Sequence, residues 1–203
     1  METQPPASQT VEGALRPVPS VHTRDAEEAV KILLRYVGED PDRDGLQDTP
    51  KRVAKAWREM TTGYDEDPEA ILSRVFEVKH NQMVVVTGIR FTSLCEHHVL
   101  PFVGTATVGY VPGDKVVGLS KIARLVLCFA RRLQVQERLT DEIADAMMDH
   151  LKPRGVGVIV KAHHSCMGCR GVAQPEAVMV TSAVRGAISE NPATRAELLS
   201  LSQ

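Results

Sequence analysis

Two short segments of this chain bring thiols and imidazoles together. Cys95-Glu96-His97-His98 offers a thiolate and an imidazole three positions apart, a separation that a turn can bring onto one ion. His163-His164-Ser165-Cys166-Met167-Gly168-Cys169-Arg170 offers a second set of donors after a run with strand character. Two such groups among seven histidines and four cysteines suggest zinc. If the strand continues through the second group, its period of two puts His164 and Cys166 on one face and His163 on the other, so His163 is the poorer donor. Cys95 with His98 and Cys166 with Cys169 have the spacing of a closed structural zinc site. The same residues serve an open catalytic site equally well, and spacing does not choose between them. A redox Cys-x-x-Cys is disfavoured, because Arg170-Gly171-Val172 follows Cys169 and the motif opens no helix that would stabilise a thiolate. Cys128 lies in the apolar run 125–130 and reads as core.

The elements that must position these donors follow from periodicity and punctuation. Asp25 with Glu28 forms a candidate capping box for a first helix carrying Ala26, Val30, Leu33, Leu34 and Val37, ended by Gly38. The run 40–45 resembles a calcium loop but has Lys51 where the bidentate glutamate belongs, so it reads as a solvated turn. Thr49 and Pro50 open a second helix, and Asp67 and Pro68 a short third. Strands are predicted at 84–89, 103–111, 156–162 and 177–184, with the Cys-Glu-His-His motif between the first two. Ser120 is a candidate cap for one helix between the strand pairs and Thr140 for another, with 134–138 as a polar joint. Asn191 and Pro192 open a last short helix. Helices, two strands, two helices, two strands and a helix make an α+β pattern with an antiparallel sheet.

Length and charge narrow the function. A chain of 203 residues fits one catalytic domain with appendages. The reading divides it into a flexible N-terminal tail at 1–20, rich in Pro, Ser, Thr and Gln, a helical region at 21–80 and a catalytic domain with a C-terminal helix at 81–203. A formal charge of −2 lacks the positive field of a nucleic-acid binder. No stretch approaches the ~20 apolar residues that span a bilayer, and the N-terminus shows no apolar signal core, so the expected address is cytoplasmic with no membrane partner.

From about residue 25 onward the chain resembles the zinc-dependent GTP cyclohydrolase I family. The matching blocks, in order, are Thr-Pro-Lys-Arg-Val-Ala at 49–54, Cys-Glu-His-His at 95–98, Gly-Leu-Ser-Lys at 118–121, Gln-Val-Gln-Glu-Arg-Leu-Thr at 134–140 and His-Ser-Cys-Met-Gly-Cys-Arg-Gly at 164–171. The resemblance implies a tunnelling fold, an antiparallel sheet backed by two long helices, with N-terminal helices and subunits assembled as a decamer of two stacked pentamers. It implies zinc on Cys95, His98 and Cys166 with water in the fourth position, which leaves Cys169 as a neighbour. It implies that hydration at C8 opens the guanine imidazole ring of GTP, with loss of formate and closure to 7,8-dihydroneopterin triphosphate, the first step towards tetrahydrofolate and other pterins. His164, with His97 second, is the expected proton carrier. Glu137 beside Gln136 matches the guanine-reading position, where a carboxylate can accept from N1–H and the exocyclic amine. Ser120, Lys121, Arg124 and Arg170 match positions that hold the triphosphate.

Overall fold

The computed structural model describes residues 21–77 and 80–203; the expectation for 1–20 falls outside them. Two compact units divide the chain, Met1–Lys55 and Ala56–Gln203. In the first unit, α1 (Thr23–Tyr36) is capped one turn earlier than the sequence suggested. His22 is the N-cap and Asp25 is the third helical residue, whose carboxylate accepts from the His22 amide at 3.1 Å. Gly38, at φ +89°, turns the chain out of this helix, a conformation that costs glycine nothing. α2 (Thr49–Met60) begins with Thr49 inside the helix and runs across the division between the units.

In the second unit, Asp67 caps α3 (Pro68–Leu72) by accepting from Glu69 N, as its sequence predicts. A five-stranded sheet follows, ordered β5-β2-β3-β6-β7, from β2 (Val84–Cys95), β3 (Pro101–Val111), β5 (Leu133–Gln134), β6 (Gly155–His164) and β7 (Val178–Gly186). β2, β3, β6 and β7 pair antiparallel in that order, while β5 joins β2 in parallel through Leu94↔Leu133 and Cys95↔Gln134. β1 (Val75–Phe76) and β4 (Val116–Val117) form a separate two-stranded ribbon. β2 does not stop at Ile89. It bulges at Thr87-Gly88, where the register jumps and Gly88 adopts φ +68°, and then continues to Cys95.

α4 (Leu119–Ala130) packs on β2, and α5 (Gln136–Ala146) packs on β6 and β7. Phe102, Ala106, Val108 and Tyr110 of β3 alternate inward beside Val156, Val158, Val160 and Ala162 of β6, all nearly inaccessible, and meet Leu125, Ile143 and Met147. Both helix starts differ from expectation. Gly118, not Ser120, is the N-cap of α4, and Val135, not Thr140, is that of α5. Thr140 lies mid-helix and buried, because its hydroxyl has partners inside the core and none are needed at a cap.

The opposite face of the sheet carries α8 (Pro192–Leu201), which follows the single turn α7 (Ala187–Glu190) and is capped by Asn191 as predicted. Gly109 and Gly157 face each other across β3 and β6, and Leu198 fills the pit they leave. A Cβ on Gly157 would stand 2.2 Å from Leu198 Cδ2, and one on Gly109 2.5 Å from Cδ1. Leu198→Ala should therefore destabilise the fold by about 2–4 kcal/mol. Gly157→Ala should also destabilise it, and the double variant by less than the sum of the two, since removing Leu198's methyls makes room for the new Cβ. Thermal unfolding of the three variants reads both results.

Candidate metal centre

Cys95 is the last residue of β2, held at both ends of its own turn. Its N–H donates to Leu100 O at 2.8 Å and its carbonyl accepts from Val99 N at 2.8 Å. Closing so tight a turn puts Val99 at φ +54°, where a β-branched residue is strained. The turn presents His97 and His98 together, with Nδ1 atoms 4.0 and 3.9 Å from Cys95 Sγ. On the far side of β3, β6 ends at His164 and the chain enters a single helical turn, α6 (Ser165–Gly168), which carries Cys166. The strand thus runs through His163 and His164, while Cys166 is placed by helical geometry and not by strand alternation.

One donor atom from each of Cys95, His98 and Cys166 lies within 4.8 Å of the others, a group that could hold a metal ion. Neither His97 nor Cys169 belongs to it. Cys169 is exposed and faces a second cleft with His163 and Pro175. The chemistry of the donors fits a cation. Burial and the adjacent Cys95 thiol both push the Cys166 thiol above its ordinary pKa, and a divalent ion would relieve that opposition by favouring both thiolates. Three protein donors leave a coordination position open.

The cluster opens into a cleft of about 280 Å³, also lined by His97, Val135, Gln136, Glu137 and His164. Glu137 is exposed in the first turn of α5. Arg170 Nη1 lies 3.3 Å from His98 Nε2. His164 is half-buried. Burial lowers its pKa, partly opposed by the Glu137 carboxylate. Its ring stacks on Phe102, with centroids 4.6 Å apart and planes 5° from parallel. Nothing in the sequence marked Phe102, since the predicted strand began one residue later.

The supposed polar joint is instead the tail of β5 and the head of α5, and both its glutamines are 1 % exposed. Gln134 donates to Glu142 Oε2 at 2.7 Å and to Phe129 O at 3.1 Å. It accepts from Arg138 Nε at 2.9 Å. Arg138 in turn binds Glu96, holding that carboxyl below its ordinary pKa, and Glu96 Oε1 stands 4.0 Å from His97 Nε2. Gln136 donates through Nε2 to Val160 O, Met179 O and Thr181 Oγ1, at 3.1 Å each, and its Oε1 meets His164 Nε2 at 2.8 Å. Both of its amide hydrogens are committed within the protein.

Ser120, Lys121 and Arg124 do not line this cleft. They sit in the first two turns of α4, whose other end leads into β5. A rise of about 1.5 Å per residue separates Ser120 from Ala130 by about 15 Å along the axis. Their side chains make no hydrogen bond or ion pair among the described residues.

A largely antiparallel sheet with two helices on one face and a Cys-His-Cys cluster that could hold a metal ion places the chain in the class of α+β proteins with a candidate metal centre. The family model of GTP cyclohydrolase I matches residues 26–203. "GTP cyclohydrolase 1" of Thermobifida fusca is 55% identical over 177 residues, 86% of each chain. That of Mycobacterium tuberculosis is 55% identical over 178 residues, covering 87% of this chain and 88% of its own. That of Desulforamulus reducens is 54% identical over 176 residues, covering 86% and 94%. Among solved structures, the apo archaeosine synthase QueF-Like aligns at 18% identity with a TM-score of 0.45, over 54% of this chain and 98% of its own. This chain belongs to the GTP cyclohydrolase I family, and its fold is the tunnelling fold of that family.

Elemental analysis should find about one tightly held metal per chain. Cys95→Ser, His98→Ala and Cys166→Ser should each abolish retention through gel filtration, whereas Cys169→Ser should retain the metal and its unfolding temperature. Metal loss in Cys169→Ser would mean a closed four-ligand site.

Proposed function

We propose that this chain hydrolyses GTP at C8 of the guanine ring, releasing formate and forming 7,8-dihydroneopterin triphosphate, with zinc held by Cys95, His98 and Cys166. The observation that carries this reading is the three-donor cluster opening into the same cleft as Glu137 and His164. Two thiolates and an imidazole are the donor set for zinc rather than for magnesium or calcium. When bound, zinc supplies Lewis acidity that makes water a competent nucleophile near neutral pH.

The chain's own residues supply the rest. Glu137, exposed at the start of α5, accepts from guanine N1–H and the exocyclic amine, and neighbouring helix N–H groups favour a ligand oxygen there. His164, whose pKa burial lowers, exchanges protons with the ring nitrogens as the imidazole opens. His97 lines the cleft, with its Nε2 4.0 Å from Glu96 Oε1, and serves as the second proton carrier. Arg170 beside His98 holds phosphate oxygens with Ser120, Lys121 and Arg124.

The distance along α4 between those last three residues and the cleft supports a site completed by another copy. So do the open sheet edges: β7 has no outer neighbour among the described strands, and β5 covers β2 only at Leu94 and Cys95. The reading is a homodecamer of two pentamers, with guanine bound by one copy and triphosphate partly by its neighbour. No described helix is long and apolar enough to cross a membrane, in keeping with a cytoplasmic enzyme.

Zinc-loaded protein incubated with GTP should release formate and, after oxidation, a fluorescent pterin. Cys166→Ala should yield neither product, and Glu137→Gln should lose on the order of 100-fold in kcat/KM because a carboxylate no longer meets two donors. Absence of formate from folded, metal-loaded protein would overturn the assignment. Light scattering should give the mass of ten copies of a 22.2 kDa chain.

A further inference from the structure

The side-chain amide of Gln136 has one orientation open to it. Val160 O and Met179 O are carbonyls, which only accept, and both lie 3.1 Å from Nε2. The amino end therefore faces the seam between β6 and β7, and Oε1 faces His164 Nε2 at 2.8 Å. An amide oxygen also only accepts, so His164 Nε2 is the donor and carries the ring hydrogen. In the neutral imidazole that leaves the lone pair on Nδ1. The parallel stack against Phe102, itself fully buried, opposes a turn of the ring that would exchange the two nitrogens.

A closed ring of hydrogen bonds holds Gln136 in this orientation. Thr140 Oγ1 donates its proton to Gln136 O at 2.7 Å, four residues back on the same helix. At the 2.6 Å contact between the two threonine hydroxyls, Thr181 must then be the donor, which leaves its lone pair for Gln136 Nε2 at 3.1 Å. Gln136 and Thr140 are each 1 % exposed, so water does not compete for these bonds. A polar ring of this kind is costly to bury unless every member is satisfied, and here every member is.

We propose that Gln136 is a positioning residue that fixes His164 as the Nε2–H tautomer, so that each proton His164 exchanges with substrate passes through Nδ1. This rests on the reading of His164 as a proton carrier. It gives Gln136 a different task from touching guanine, which falls to Glu137 alone among the two.

The test reads the ring nitrogens of His164 by nitrogen NMR in the metal-loaded, full-length protein labelled at histidine, with His164→Gln identifying the signals. The wild type should show a hydrogen-bearing Nε2 and a bare Nδ1. Gln136→Met, which keeps length but offers no oxygen, should show a mixture of tautomers and a kcat lower by about 10- to 100-fold, with the KM for GTP within about twofold. Thr181→Val, milder for folding, should shift both readouts in the same direction by less. A His164 hydrogen on Nδ1 in the wild type, or an unchanged tautomer in Gln136→Met whatever happens to kcat, overturns the proposal. If the tautomer shifts in Gln136→Met while His164→Gln turns over GTP normally, the tautomer assignment stands and the proton-carrier reading fails.

Discussion

The site depends on where the ladder of β2, β3 and β6 ends. β3 lies between the other two strands, so their backbones are about 10 Å apart at strand spacing, too far for two cysteines to share an ion from within the sheet. Cys95 and Cys166 meet because each is displaced beyond the last rungs of the ladder, one at the start of a tight turn and the other on a helical turn. Register makes this possible. Phe102↔His164 and Leu94↔Pro101 are the closing pairs, and a slip of one residue between β3 and β6 would turn His164 to the opposite face of the sheet.

Much of this could be read in the sequence, and the omissions have physical causes. Strand cores rich in Val and Ile and the Asp67 and Asn191 caps stand where their residue types put them. The two Cys/His segments pointed to a metal, but their spacing left Cys169 an equal candidate, and the set Cys95, His98 and Cys166 followed only from the family resemblance. Ser120 and Thr140 misled because a hydroxyl is a good cap anywhere, and only the surrounding core decides whether it caps or pairs internally. The stretch 134–138 misled for the reverse reason. Gln134 and Gln136 look like solvent-facing residues, and burial is tolerable only because carbonyls and side chains from three other elements converge on them. The partners of Gln136 lie 24 to 45 residues away and leave no local signature. The parallel pairing of β5 was equally invisible, because two residues are too few to show a period.

Two polar assemblies thus border one cleft and differ in kind. The ring formed by Gln136, Thr140 and Thr181 is complete within the chain and has no capacity for anything further. Cys95, His98 and Cys166 instead present donor atoms close enough together for one metal ion to share. Rigidity and reactivity are separated: groups that hold the geometry are saturated, and groups that do chemistry remain open.

The strained turn at Val99 carries this separation into the thermodynamics of the whole molecule. A β-branched residue at φ +54° does not adopt that backbone by preference, so a free Cys-Glu-His-His segment would not hold its donors in this arrangement. Metal affinity is therefore a property of the assembled sheet, and unfolding scatters the ligands beyond local recapture. Mass action then ties the two equilibria together. An ion held only by the folded chain would enter its apparent stability with the logarithm of the free-ion concentration, so withholding the ion would lower stability along with site occupancy.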